Sequence, residues 1–140
     1  MAKKKELGMK WFHFLIYFVL WFNAFVCAVV GAAALSFPVN IADTAYGAAM
    51  LVFAVFCLIT RSRLAKFKKG APGCLHAFYI LGNIVIDLAY NIAFLVLEGA
   101  LSELPTILLD PQFIGILVGT IIIVSINKTY FGKRKHLFVN

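Results

Sequence analysis

Asn83, Asp87 and Asn91 stand four residues apart in a stretch that is otherwise largely apolar. At roughly 100° per residue they share one helix face, and His76, Tyr79, Tyr90 and Glu98 fall within about 60° of the same line. A carboxylic acid among amides inside an apolar helix can do one of three things. It can take up and release a proton or cation along a transport path. It can act as a protonated hydrogen-bond partner that fixes helix packing. It can also belong to an assembly face that is covered when another helix docks.

Asp87 lies about 13 residues into its segment, roughly 20 Å from the inner end at 1.5 Å per residue. That is close to the middle of a bilayer. An ionised carboxylate there costs about 2.5 to 3.5 kcal/mol on an insertion scale. No Lys or Arg falls at that depth, so the neutral acid is expected. Asn23 in the first apolar segment and Thr120 in the fourth fall near the same level. Asn23, Asn83, Asp87, Asn91 and Thr120 therefore form the candidate intramembrane polar face.

Gly115 and Gly119 form a GxxxG spacing, which lets a neighbouring helix approach closely, either within the chain or from a second copy. His13, Cys74 and His76 lack a close-spaced ligand motif, so no metal and no cofactor are expected. Cys27, Cys57 and Cys74 contain no Cys-x-x-Cys pair and are read as small apolar residues, which argues against a membrane thiol oxidase. Neither a Gly-rich phosphate loop nor an HExxH or GxSxG motif is present, and no catalytic residue is assigned.

The elements that must hold these residues are marked by charge. All 13 Lys and Arg fall in three clusters: Lys3 to Lys10, Arg61 to Lys69, and Lys128 to Lys135. Asp43, Glu98, Glu103 and Asp110 occupy the gaps between them. This alternation predicts four membrane crossings, with both termini and the middle loop on the cytoplasmic side. The expected helices cover about 11–35, 41–60, 73–97 and 111–127, within one transmembrane domain over 1–140. The first is too long and too aromatic for a cleaved signal and is read as retained.

Asn40 or Asp43 can cap the second helix, Gly70 and Pro72 separate the second from the third, and Asp110-Pro111 starts the fourth. The helical pattern of the second can continue through Lys69, with Leu64 and Phe67 facing the membrane interface. The outer loop from Glu98 to Asp110 is apolar enough to lie on the outer leaflet. The fold class is all-α: an antiparallel four-helix membrane bundle.

A hydrophobic fraction of 63% with 14% charged residues excludes an ordinary soluble domain. The net charge of +7 suggests nucleic acid when taken alone, but the basic residues are juxtamembrane, and no nucleic-acid partner is expected. Arg61, Arg63, Lys66, Lys68, Lys69, Lys133, Arg134 and Lys135 are instead expected to meet anionic headgroups, at about 1 kcal/mol per residue near the surface.

Residues 67–72 (Phe-Lys-Lys-Gly-Ala-Pro) and the ending 127–138 (Asn-Lys-Thr-Tyr-Phe-Gly-Lys-Arg-Lys-His-Leu-Phe) resemble junctions in small four-helix membrane proteins of Gram-positive bacteria. That group has no assigned activity. The resemblance implies a bacterial plasma membrane location. The expected function is non-enzymatic: binding of another membrane subunit or self-association. The alternative is a small proton-coupled transporter or channel in which Asp87 titrates.

Overall fold

A computed structural model describes residues 8–139; Lys3, Lys4 and Lys5 lie outside the described residues. The chain is helical, with no strand among those residues. Four helices are long and apolar enough to cross a membrane: α1 (Lys10–Ser36), α2 (Ile41–Ala65), α3 (Ala71–Leu97) and α4 (Pro111–Gly132). A 3-10 turn (Leu101–Glu103) and a short helix (Leu104–Leu108) fill the apolar loop before α4. α4 runs five residues beyond its expected end at Asn127, because Phe131 packs into the core and keeps the last turn wound.

The caps follow from residue type. Asn40 and Asp43 form a reciprocal capping box at the start of α2. Asp110 accepts from the Gln112 N–H at 2.7 Å, with Pro111 at the first helical position. α2 and α3 both end in a Schellman motif. At the end of α3 the left-handed position is Gly99, with the Ala100 N–H bonded to the Leu95 carbonyl. At the end of α2 it is Phe67, at φ 50°, with the Lys68 N–H bonded to the Arg63 carbonyl. A bulky side chain there is strained by about 1 to 2 kcal/mol. Its ring accounts for its presence, stacking on Phe12 at 5.1 Å and meeting Phe138 at 5.5 Å.

α1 and α2 make the closest pair. A Cβ built on Gly31 would sit 2.8 Å from the Gly47 carbonyl oxygen, and one on Gly47 would sit 2.9 Å from the Gly31 oxygen. The two backbones touch there, as small residues allow. Cys27 and Cys57 meet along the same seam. α3 lies against α2, with Gly82 directly under the Phe53 ring, and α4 lies against α3.

The core is concentrated at the basic end. Phe12, Leu64, Ala71, Leu75, Phe131 and Phe138 are all buried there. They bring together the start of α1, the α2–α3 loop, the end of α4 and the tail. The acidic-loop half is more open, and Leu95 is the one buried residue of α3 beyond Phe78.

Candidate functional site

The polar face of α3 sits in that open half. Asn83 donates its side-chain N–H to Thr120 Oγ1 on α4 at 3.1 Å, and the Thr120 hydroxyl donates to the Ile116 carbonyl at 2.8 Å. This is the one pair among the expected polar-layer residues that the structure joins across helices. Asn23 turns back to the Val19 carbonyl of its own helix, and Asn91 turns back to the Asp87 carbonyl. Both satisfy their amides locally.

Asp87 is exposed, and its carboxylate accepts no hydrogen bond among the described residues. It lies within electrostatic reach of Tyr46 on α2 and Cys27 on α1. Its side chain is therefore on the α1–α2 side of α3, but nothing closes over it. One turn further, Tyr90 donates to Asp43 Oδ1 at 2.8 Å and packs on the Tyr46 ring at 4.8 Å. This ties the end of the polar stripe to the α2 cap.

Two π segments flank this geometry, Leu15–Val19 in α1 and Leu81–Val85 in α3. In each, a backbone N–H bonds five residues back and leaves the next carbonyl without its ordinary donor. In α1, the Leu20 N–H takes the Leu15 carbonyl, and the released Ile16 carbonyl accepts from Arg61 Nε at 2.9 Å. The guanidinium also lies over the Trp21 ring at 4.9 Å. In α3, the Ile86 N–H takes the Leu81 carbonyl, which withdraws the normal helical donor from Gly82 just before Asp87. Neither segment is signalled by residue type.

The expected close contact through Gly115 and Gly119 is not made within the chain. A Cβ at either position would meet nothing within 4 Å, and the close approaches fall at Gly31, Gly47 and Gly82 instead. Both α4 glycines lie away from the face that carries Thr120, Asn127 and Phe131 against the rest of the chain.

The basic end departs from expectation in three places. Arg134 is 6% exposed, so it is no headgroup contact. Its Nη2 donates to the Gly8 carbonyl at 2.7 Å and Nη1 to the Tyr130 carbonyl at 2.8 Å, with the guanidinium 3.6 Å above the Tyr130 ring. Arg61 is drawn to Ile16, as described. Leu64 and Phe67 face the core and not the surface, because the aromatic cluster offers more apolar contact than the rim. Arg63, Lys66, Lys68, Lys69, Lys133 and Lys135 remain exposed.

The same end is held by a polar network. Trp11 Nε1 donates to Asn127 Oδ1 at 2.8 Å, and Asn127 is fully buried. The Tyr130 hydroxyl accepts from the Phe12 N–H at 3.3 Å and donates to the Gly8 carbonyl at 3.2 Å. It thereby serves a free N–H in the first turn of α1, where no side chain of the cap position does so.

No family model, no curated protein and no solved structure matches this chain.

Proposed function

We propose that the chain is an antiparallel four-helix protein of a bacterial plasma membrane, with its basic end cytoplasmic, and that it works without catalysis as one subunit of a larger membrane assembly. The partner is a second copy or another membrane helix. It covers the open positions at Asp87 on α3 and at Gly115 and Gly119 on α4. The observation that carries this reading is the Asp87 carboxyl, exposed in mid-helix and without a hydrogen bond among the described residues. Lipid cannot satisfy such a group, whereas a docked helix or enclosed water can. On α4, Gly115 and Gly119 leave room for a backbone to come close.

A photo-crosslinking residue placed at Gly119 in native membranes tests this. The expected product is a protein adduct heavier than the monomer, reduced when Asp87 is changed to Leu. Crosslinks to lipid alone would refute it.

A second reading is proton or cation movement through Asp87. It is supported by the π segment directly before this residue, since interrupted helical bonding at membrane depth is tolerated where water or protein replaces the lost partner. Under this reading Asp87→Asn folds and assembles normally yet abolishes pH-driven flux in proteoliposomes. Under the assembly reading Asn keeps the hydrogen-bonding capacity and no such flux exists to lose.

A further inference from the structure

A groove of about 710 Å³ opens at the basic end between α3, α4 and the folded-back tail. Its size is within the range of small-molecule sites. Its lining is divided by chemistry. Lys69, Lys128 and Lys135 stand around it, and none of its lining residues is acidic. Phe131 and Phe138 supply apolar wall.

Two polar groups also lack partners among the described residues. His76 lines the groove, and its Nε2 is buried with no hydrogen-bond partner among the described residues. At the start of α3 there is no side-chain cap, Pro72 has no N–H, and the Ala71 N–H is taken by the Lys68 carbonyl. Gly73, also in the lining, therefore presents the free N–H at the positive end of the helix dipole. The phosphate affinity of such an end is reinforced by the three lysines.

We infer that this groove is a specific site for one anionic phospholipid, its phosphate held by Lys69, Lys128, Lys135 and the α3 N-terminus, and the start of an acyl chain against Phe131 and Phe138. A free phosphate would leave the apolar wall wet. A zwitterionic lipid would bring a cation into a ring of lysines. The inference rests on the membrane reading above but not on the proposed assembly, because the groove is complete within one chain. Lys128 and His76 line this groove, although neither is among the residues expected to meet headgroups. His76 is seated a turn inside α3 and lines the groove there.

Native mass spectrometry of the detergent-purified full chain tests it, with phosphatidylglycerol, phosphatidylcholine and inorganic phosphate as separate probes. One phosphatidylglycerol per chain is expected to survive at collision energies that strip phosphatidylcholine, and phosphate should give no adduct. The Lys128→Ala/Lys135→Ala variant should bind phosphatidylglycerol about thirty-fold more weakly. The Lys66→Ala/Lys68→Ala variant removes the same charge outside the groove and should change binding less than three-fold. Lys128→Arg should restore most of the affinity on the Lys135 wild-type background, showing that the loss is not misfolding. Equal retention of both lipids, equal loss in the two double variants, or phosphate binding as strong as lipid binding would each overturn the site.

Discussion

Phe67 is where residue-scale forces oppose each other most visibly. Its backbone takes the left-handed conformation that Gly99 occupies in the equivalent motif of α3, yet its ring is the link between Phe12 and Phe138. Half-burying a phenyl ring contributes about 1 to 2 kcal/mol, comparable to the backbone strain that it offsets. Two substitutions separate the terms. Phe67→Ala loses the ring and keeps the strain, so it should lower the melting temperature in detergent clearly. Phe67→Gly loses the ring and relieves the strain, so it should be more stable than Phe67→Ala by about 1 kcal/mol. If Ala proved the more stable of the two, the positive φ would carry no cost. The sequence suggests Gly70 as the stop between α2 and α3, and Gly70 does adopt φ 79° at the cap of α3. It does not suggest that the turn before it is made by a phenylalanine. That choice depends on rings more than 50 residues away in both directions.

At the scale of elements, the contrast between glycines decides how the helices pair. A Cβ at Gly47 would press on the Gly31 carbonyl at 2.9 Å and on Leu35 Cγ at 2.8 Å, and backbone on backbone cannot yield. Gly47→Ala should therefore cost about 1 to 3 kcal/mol, the range of an overpacked core. Gly115→Ala meets nothing within 4 Å and should leave the isolated chain unchanged or gain up to about 1 kcal/mol of helix propensity. Thermal denaturation of the detergent-solubilised monomer compares them, and a larger loss at Gly115 than at Gly47 would invert the packing described.

This contrast also marks what residue pattern could and could not convey. Helix number, the Asn40 and Asp110 caps and the Gly70–Pro72 break were legible, because hydropathy and capping are local. Gly115 and Gly119 carried the familiar spacing, whereas Gly31 and Gly47, on different helices, carried the contact. A motif within one helix cannot report the partner's surface. The polar stripe of α3 was legible as a stripe. Its bonds across helices, Asn83 to Thr120 and Tyr90 to Asp43, were not, nor was the local turning-back of Asn23 and Asn91. The π segments that reset the phase of α1 and α3 arise from packing, as with Arg61 reaching Ile16 over 45 positions, and no residue type announces them.

For the whole molecule, the distribution of order has a direction. At the basic end Trp11, Asn127, Tyr130 and Arg134 join the two ends of the chain, while the face around Asp87 stays open. A chain closed at one end and open at the other needs a defined orientation for either proposed role. The charge asymmetry supplies the argument for one: every Lys and Arg among the described residues lies at the closed end, and basic loops favour the cytoplasmic side, so the proposed orientation puts that end inside. Single-cysteine labelling in intact cells checks it, in a background where Cys27, Cys57 and Cys74 are replaced by Ala. Both chosen positions, Ser102 and Lys68, are exposed in loops at opposite ends of α3. An impermeant maleimide should label Ser102→Cys and spare Lys68→Cys until the membrane is opened by detergent. Labelling of Lys68→Cys in sealed cells would invert the topology, and it would move the lysine-lined groove to the outer leaflet.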